Sequence, residues 1–435
     1  GGSDAADTDR PTRRSDVYLT QSTVTLRGDV DPNRMHRAAA AVVARHPVLR
    51  SAFLSTTQGD LVAVVAGTAE PAWSYHDLTI VPADTVDTSG AIRESELSQP
   101  VSFDRPPLIR FALIRSERDR FEFVVTVHHV IVDGWSMPLL LRDLLRSYAT
   151  DGSALEPAPS YRAFLEWLGA RDQAAAIDAW RAAFAGSSEP TLIAPDYVST
   201  DGHIRPGFHS IDVDDAIWKH LVGHAREIGV TLNTIVTSMW GLLIDRLSSS
   251  DVGSRSADAT IGMTVSGRPP QLEGADETVG LFINTIPMRV VGLPGETVAD
   301  VWRRTHHSQA ALLDHQHLGL ADIGRAAGAG ARFDTIVVFE SYPVEMSAPG
   351  TSEPIAGIRV TDVATDEATH YPLTVTVTLH PRPRIVLSYR PDAISAPAAG
   401  RIAARFTRYL RAVAEEPSTP LDSLPLLSAD EHAVL

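Results

Sequence analysis

The sequence predicts an α/β (α+β) protein with mixed sheets, folded as two lobes. Segments with strand-like alternation and segments with helical periodicity follow each other along both halves of the chain, as expected where helices cover sheets. At 435 residues the chain is too long for one ordinary core and suits two units of about 200 residues each. Stretches rich in proline, glycine and serine at 151–159 and 186–207 separate the halves. We therefore place the boundary between the lobes near Gln173.

The first lobe is predicted to span 16–173, after a disordered leader at 1–15 that shows no periodicity. Runs of β-branched and aromatic residues predict strands at 17–26, 61–65, 108–115 and 121–127. A helix is predicted at 31–45, where Pro32 lies in the first turn and the apolar residues form one stripe. Another is predicted at 138–148 with Ser136 as its N-cap, and residues 161–185 are predicted to form one or two more.

The second lobe is predicted to span 174–425, followed by a tail at 426–435. Helical periodicity indicates helices at 214–228, 231–247, 297–316 and 396–416. The helix at 231–247 has its large apolar side chains, among them Met239 and Leu243, on one face. Strands are predicted at 259–265, 285–291, 335–340, 373–379 and 385–389.

The composition excludes several classes of function. The chain has no cysteine, which rules out disulfides, thiolate nucleophiles and cysteine-based zinc sites and is consistent with a reducing cytoplasm. The net charge of −16 argues against a nucleic-acid partner, because phosphate binding requires a basic field. No apolar run approaches the roughly 18 residues of a membrane helix, so we expect a cytoplasmic protein without membrane contact.

The residues that carry chemistry cluster at 127–136, where a predicted strand ends and a predicted helix begins. Neighbouring side chains on a strand point to opposite faces, so His128 and His129 cannot both reach one substrate. We expect His129 to face a cavity and His128 to face the local core, where it needs a hydrogen-bond partner. Asp133 is expected to hold the turn through an arginine or backbone donors, and Gly134 to allow close backbone approach to a ligand.

This stretch resembles the His-His-x-x-x-Asp-Gly signature of condensation domains from nonribosomal peptide synthetases. Further segments resemble the family's other motifs in the same order along the chain. They are 45–53, 161–167, 262–268, 279–285 and the run from Phe333 to Tyr342. The family's opening glutamine-containing helix motif has no counterpart before Asp16.

The resemblance implies two lobes of chloramphenicol-acetyltransferase type, arranged as a V-shaped pseudo-dimer. It implies that an acceptor amine attacks a donor thioester, with both reactants held on phosphopantetheine arms of carrier proteins. The candidate catalytic residues are then His129, Gly134, Asp133 and His128. We predict that Arg268 pairs with Asp133, that Asn284 either lines the cavity or is structural, and that Trp135 and Ser136 either flank the pantetheine path or pack at the helix start.

The same resemblance predicts no bound cofactor and no metal, with the pantetheine supplied by upstream donor and downstream acceptor carrier proteins. The histidines at 306–307 and 315–317 lack a metal-binding pattern, and solvated or packing histidines are the better interpretation. The segments 315–320 and 339–343 resemble versions that take a D-configured donor and an L-configured acceptor. The end of the chain, including the tail at 426–435, resembles a linker leading to an adenylation domain.

Two other functions stay open from the sequence. One is a free-standing acyltransferase that uses acyl-CoA, since His129-x-x-x-Asp133-Gly134 also resembles that wider superfamily. The other is a non-catalytic relative that only recruits another protein, although such relatives typically lose the second histidine or the glycine. Both of those residues are present in this chain.

Overall fold

The computed structural model describes residues 16–80, 88–152, 155–198, 204–249, 256–340, 354–366, 369–379 and 382–425. The leader at 1–15 and the tail at 426–435, for which we made predictions, lie outside these ranges. The strands are β1 Leu19–Arg27, β2 Ser51–Ser55, β3 Leu61–Val65, β4 Ala72–Asp77, β5 Ile109–Glu117, β6 Arg120–His128, β7 Gly207–Ile211, β8 Ala257–Val265, β9 Asn284–Gly292, β10 Thr335–Glu340, β11 Arg359–Asp366, β12 Leu373–Thr378 and β13 Arg384–Tyr389.

The α-helices are α1 Pro32–Arg45, α2 Thr88–Ser98, α3 Ser136–Ala149, α4 Tyr161–Gly169, α5 Gln173–Ala183, α6 Asp215–Ile228, α7 Leu232–Ser248, α8 Val298–Ala311, α9 Leu320–Ala327 and α10 Ala396–Glu415. The fold class is therefore the mixed α/β arrangement that the sequence predicts. The predicted helix at 297–316 ends earlier, because α8 stops at Ala311 and a short 3₁₀ turn, Leu313–His315, follows. The region 161–185 forms two helices, α4 and α5.

The first sheet has the strand order β11-β1-β6-β5-β4. β1, β6 and β5 pair antiparallel, and β4 joins β5 in parallel. One face packs on α1 and α3 around an apolar cluster that includes Met35, Leu113 and Phe123. The C-terminal end of α1 is held to the middle of α3, because the buried Asp143 of α3 lies 2.8 Å from His46 Nε2 and 3.0 Å from Arg45 Nε. This explains the early motif at 45–53 as a structural clamp.

The strand β11 corrects the predicted division of the chain. Its eight residues fall within the range assigned to the second lobe, yet they pair antiparallel with β1 in the first sheet. The approach is close: a Cβ on Gly28 would lie 2.2 Å from the carbonyl oxygen of Gly357, so only glycine fits there. The division by position along the chain is wrong for this strand, because the second half of the chain completes the first sheet.

The second sheet has the order β7-β13-β12-β10-β8-β9, with β10 parallel to both β8 and β12. Its core face packs against α7, whose side chains are buried from Thr234 to Ile244, and against α8 and α10. The alternation of β12 places Leu373, Val375 and Val377 in this core. The threonines between them therefore face the other side of the sheet.

A separate two-stranded hairpin, β2 and β3, stands beside the first sheet. All five residues of β3 are exposed although they are apolar. The sequence predicted β3 but missed the short strands β2, β4 and β7 and also the longer β11, and it missed the helices α2 and α9. In the described part of the chain no single helix is long and apolar enough to cross a membrane; α6 and α7 meet the length and composition test only as a pair bent by 105°.

Candidate active site

The candidate site is the loop that joins β6 to α3, and its residues come from the predicted strand-to-helix junction. β6 ends at His128 and α3 begins at Ser136. Ser136 was predicted as the N-cap, but it is the first helical residue. The N-cap position belongs to Trp135, whose side chain makes no capping bond, and Asp133 Oδ1 accepts a hydrogen bond from Ser136 N at 2.9 Å. The Asp133 carboxylate therefore fixes the start of the helix as well as the turn.

His128 points into the local core, as strand alternation predicts, and its residue is 4% exposed. Its Nδ1 accepts a hydrogen bond from Val130 N at 3.0 Å, so that nitrogen carries no proton. Its Nε2 then carries the proton and donates it to Asp16 Oδ2 at 3.1 Å. Burial lowers the pKa of His128, while Asp16 opposes that shift. Both ring nitrogens are occupied, so His128 holds the loop rather than serving as the base.

His129 has the opposite arrangement. Its backbone N–H donates to Tyr18 O at 2.9 Å, which aligns the residue with the start of β1. Its ring is half-buried, and Nδ1 lies 3.0 Å from the carbonyl oxygen of Val132. A carbonyl oxygen can only accept, so Nδ1 carries a proton and donates it to Val132 O, which orients the ring. The two adjacent histidines are therefore held in different ways: Nδ1 of His128 accepts a hydrogen bond, whereas Nδ1 of His129 donates one.

Asp133 pairs with Arg268, as predicted. Arg268 Nη2 lies 2.9 Å from Oδ1 and 3.1 Å from Oδ2 of the carboxylate, and both side chains are buried. Ser136 Oγ and Phe282 N add donors to the same carboxylate at 2.7 and 3.1 Å. A buried charge is tolerated when it is paired and its remaining lone pairs are satisfied, which is the case here.

Arg268 itself lies between aromatic rings and backbone carbonyls. Its guanidinium carbon is 4.0 Å from the ring centroid of Phe282 and 5.4 Å from that of Trp135, distances at which a cation is attracted to a ring face. Its Nη1 also donates to the carbonyl oxygens of Ala275 and Thr278. Burial lowers the pKa of Arg268, and the neighbouring Asp133 opposes that effect.

The segment 279–285, which we call the bridging segment, connects the second lobe to this loop. Gly280 O accepts a hydrogen bond from Asp133 N at 3.1 Å, and Gly280 N donates one to Ser136 Oγ at 3.0 Å. Gly267 allows the segment to approach: its φ is +61°, and a Cβ there would lie 1.8 Å from Phe282 O. The motif helix α4 covers the other side, where Tyr161 OH donates to Leu281 O.

The contacts of Ser136, Asn284 and Trp135 distinguish between the two roles predicted for each. Ser136 is fully buried in the Asp133 network, so it packs at the helix start and does not flank the pantetheine path. Asn284 uses its amide N–H groups to hold Gln316 O and Leu318 O, both at 2.8 Å, which is the structural alternative. Trp135 donates from Nε1 to Asp276 O at 2.9 Å and lines a cavity.

Two cavities adjoin the loop. The larger, of about 620 Å³, lies between the lobes and includes Gly134 in its lining. The smaller, of about 490 Å³, lies within the second lobe and includes Trp135. Val338 belongs to the lining of both cavities. His129 is in neither lining, so its predicted position facing a cavity stays a prediction.

The sequence reasoning missed one wall of the larger cavity. The threonines at 374, 376 and 378 line it together with Glu340, opposite apolar side chains such as Phe111 and Leu141 of the first lobe. The signal was present, because β12 reads Leu-Thr-Val-Thr-Val-Thr and β10 ends in a glutamate. A period-two pattern with one polar face predicts a wall that is not packed in a core.

The histidines at 306 and 317 contact neighbouring groups of the second lobe. Across the residues that the structure describes, no group of three histidine, aspartate or glutamate side chains converges. His306 lies 3.3 Å from Thr234 Oγ1 through Nδ1, and His317 Nδ1 contacts Asp314 O at 3.0 Å. Burial lowers the pKa of His317, which keeps its ring neutral at neutral pH.

The mixed sheets, the two lobes and the strand-end histidine loop define a chloramphenicol-acetyltransferase-like fold. Solved structures agree: the starter condensation domain of rhizomide synthetase RzmA in complex with C8-CoA has a TM-score of 0.77 at 20% identity, covering 95% of this chain and 93% of that one. The first condensation domain of the calcium-dependent antibiotic synthetase, in complex with a substrate analogue, gives 0.73 at 21% identity, covering 95% of both chains.

The family is shown by the sequence. The family model "Condensation domain" matches residues 10–435, and chondramide synthase cmdD of Chondromyces crocatus is 30% identical over 427 residues. This chain belongs to the condensation domain family, the amide-forming domains of nonribosomal peptide synthetases. The alignment covers 96% of this chain but 11% of the chondramide synthase, so the chain spans only a small part of that relative.

Proposed function

We propose that this chain joins two acyl groups by attack of an acceptor amine on a donor thioester, each tethered to a carrier protein. The observation that carries the proposal is the loop from His129 to Ser136, in which Nδ1 of the half-buried His129 ring is fixed by Val132 O, Gly134 lines the larger cavity and Trp135 lines the smaller one. An arm entering each cavity would bring its reactive end toward this loop. The product is an amide, and the donor's pantetheine thiol is the leaving group.

His129 acts on the attacking amine. An α-amine with a pKa of about 8 is roughly one-tenth neutral at pH 7, a penalty of only about 1.4 kcal/mol. A general base typically contributes about 10²–10⁴-fold, whereas positioning two tethered reactants can contribute about 7–11 kcal/mol. His129 Nε2 therefore orients the amine and accepts its proton, and most of the acceleration comes from alignment of the two arms.

Gly134 supplies the complementary group for the donor. Among the described residues, no backbone carbonyl accepts a hydrogen bond from the Gly134 N–H. Gly134 also lines the larger cavity. A backbone N–H at such a position can stabilise the oxyanion that develops on the thioester carbonyl. The Asp133–Arg268 pair keeps this loop in place from behind, so its contribution is positioning.

The partners follow from the tethered reactants. We propose that donor and acceptor carrier proteins deliver the two arms and that an adenylation domain lies next to this domain in a longer synthetase. Carrier domains are usually acidic and this chain has a net charge of −16, so docking relies on local basic or apolar surfaces. No further cofactor is part of the proposal.

We also propose that the donor residue is D-configured and the acceptor L-configured. The two segments whose sequences support this adjoin the cavities. Gln316 and Phe339 line the smaller one and Glu340 lines the larger one. Ser341 to Pro343, the rest of the second segment, lie outside the described residues.

The test supplies carrier proteins loaded with a D- or L-configured donor and an L-configured acceptor, and follows dipeptidyl product by intact-protein mass spectrometry. We expect product with the D-configured donor, and a fall of about 10²-fold or more for His129→Ala. The matched control is His220→Ala, an exposed histidine on α6 that should leave the rate unchanged. Equal rates for His129→Ala and the parent would refute the role of this ring.

The same assay separates the alternatives. Product with CoA thioesters but not with loaded carriers would favour the acyl-CoA-dependent acyltransferase, a possibility supported by the fold shared with the RzmA domain solved with C8-CoA. No product with any donor would favour the non-catalytic recruitment relative. Faster reaction of the L-configured donor would overturn the stereochemical part alone.

A further inference from the structure

The backbone of His129 is held by a hydrogen bond at the very end of the β1–β6 pair. β1 begins at Leu19, which pairs with His128, the last residue of β6. One residue beyond this pair, His129 N–H donates to Tyr18 O at 2.9 Å. Bonds at the end of a strand open more readily than those inside a sheet. The position of His129 therefore depends on what keeps Tyr18 in place.

The first lobe holds the backbone of Tyr18 better than its side chain. Tyr18 N–H donates to Asp16 Oδ1 at 3.0 Å, and the other carboxylate oxygen of Asp16 contacts His128 Nε2. The residue is 47% exposed, so packing alone does not fix its ring. The ring contact that it makes in this lobe is with His128, at 6.3 Å between centroids. The phenol oxygen is anchored from the second lobe.

The anchor in the second lobe is His370, which lies just before β12. The phenol oxygen of Tyr18 is 3.2 Å from His370 Nδ1, and the two ring centroids are 6.0 Å apart. Burial lowers the pKa of His370 and raises the pKa of Tyr18, so both groups are uncharged at neutral pH. The contact is therefore a neutral hydrogen bond between the lobes, in which the tautomer of His370 decides which group donates.

His370 is supported in turn by a row of aromatic rings in the second lobe. Its ring centroid lies 4.1 Å from that of Tyr371, and Tyr371 stacks on Phe333 at 5.6 Å. Phe333 fills the space beside Gly262, where a Cβ would collide with its ring. Gly262 and Phe333 begin two of the motif-like segments named above, and neither contacts the Asp133 network. The row explains both residues as support for the ring of His370.

We propose that Tyr18 and His370 are positioning residues for the amide-forming reaction. Through the phenol–imidazole contact the second lobe holds the Tyr18 carbonyl, and through that carbonyl it holds the backbone of His129. This inference rests on the proposed function. Neither side chain needs to touch the substrate, because the group that acts on the loop is the carbonyl oxygen. The pair of Asp133 and Arg268 holds the other end of the same loop, so the second lobe fixes the loop at both ends.

The experiment measures amide formation from loaded carrier proteins for Tyr18→Phe, His370→Ala and the double variant. Tyr18→Phe keeps the ring and the carbonyl and removes only the hydroxyl. We expect kcat to fall by about three- to tenfold in each single variant, the rate equivalent of one neutral hydrogen bond, with KM for the carriers within about twofold of the parent. The double variant should be about as slow as the slower single variant, because both substitutions remove the same contact.

Two further variants separate positioning from a general effect on the fold. Tyr75→Phe removes the hydroxyl of a similarly exposed tyrosine on β4 and should leave kcat within about twofold of the parent. His370→Gln keeps a side chain that can hydrogen-bond the phenol and should recover most of the rate lost in His370→Ala. An unchanged kcat in Tyr18→Phe refutes the inference, and so do losses that multiply in the double variant. Both results leave the proposed function intact, because the parent still forms product.

A spectroscopic measurement keeps this result separate from the amide-forming reaction. In protein with isotope-labelled histidine, the backbone N–H signal of His129 is assigned by its loss in His129→Ala. We expect Tyr18→Phe to shift this signal and to speed its hydrogen exchange by about three- to tenfold, while Tyr75→Phe changes neither. This expectation holds even if no donor gives product, a result that would refute the proposed function instead. An unchanged His129 signal with unchanged exchange in Tyr18→Phe refutes the inference.

Discussion

Removal of the Asp133 carboxylate should destabilise the protein strongly, because it leaves a buried cation without a partner. In Asp133→Ala the Arg268 guanidinium loses both oxygens of its ion pair, and its side chain is only 6% exposed. Breaking a buried pair from one side costs about 3–5 kcal/mol. The N–H groups of Ser136 and Phe282 also lose their acceptor. We expect a total loss of about 5 kcal/mol.

The expected loss is large enough to measure as a melting temperature. For units of 150–250 residues, 1 kcal/mol corresponds to roughly 2–4 °C, so Asp133→Ala should melt about 10 °C or more below the parent. The control is Asp178→Ala, which removes an exposed i,i+3 pair with Arg181 and should shift the midpoint by about 2 °C at most. Both are measured by differential scanning fluorimetry and checked by calorimetry.

A double variant tests the physical reason for the loss. Asp133→Ala combined with Arg268→Met removes the stranded charge and keeps an apolar side chain of useful length between Phe282 and Trp135. It should be more stable than Asp133→Ala alone, because the uncompensated cation is gone. A parent-like midpoint for Asp133→Ala would refute the reasoning. The reasoning would also be refuted if the loss of stability in the double variant equalled the sum of the losses in the two single variants.

Three further predictions concern other parts of the loop and its support. Gly267→Ala should lower the melting temperature by at least 5 °C, because a Cβ would collide with Phe282 O and the residue has a φ of +61°. The control is Gly59→Ala, where φ is +91° but the surrounding space is open, so its smaller loss measures the backbone strain without the collision. Tyr161→Phe should cost about 1 kcal/mol in a urea titration, because it removes one hydrogen bond to the bridging segment, and an unchanged midpoint would contradict this. Burial lowers the pKa of His128 below that of an unfolded histidine, so the unfolded state binds more protons below pH 6.5 and stability falls as pH drops through that range. His128→Gln should therefore lose less stability than the parent between pH 7.5 and 5.5, and an identical loss in urea titrations at the two pH values would count against it.

Much of the loop could be predicted because its signals are local. The alternation predicts that His128 faces the local core, and the structure buries it there; the predicted cavity-facing position of His129, which follows the end of β6, stays a prediction. The partner of Asp133 could not be predicted from local signals, because Arg268 lies 135 positions away along the chain. Only the resemblance to a family motif indicated it. Spacing alone does not reveal which distant cation reaches a buried carboxylate.

The parts that failed depend on tertiary structure. Serine is a common N-cap residue, but Ser136 is the first residue of the helix. Its N–H and its hydroxyl both donate to the Asp133 carboxylate, three residues earlier, and the hydroxyl is buried there. Asn284 could have faced a cavity, but its amide holds two carbonyls of a loop whose course the sequence does not specify. The threonine face of β12 was readable as a pattern, yet its meaning required knowing that a second lobe lies opposite it.

The pairing of β11 with β1 has a consequence for the synthesis of the chain on the ribosome. Arg27 pairs with Arg359, so 359 − 27 = 332 positions of chain separate two neighbouring strands. At about 5–20 residues per second, a ribosome needs roughly 17–66 s to synthesise that stretch. Until then, the backbone N–H and C=O groups along one edge of β1 have no strand to pair with. Nascent chains on the same messenger RNA can pair with each other at this edge. Slow or paused translation of this region should therefore increase aggregation during expression.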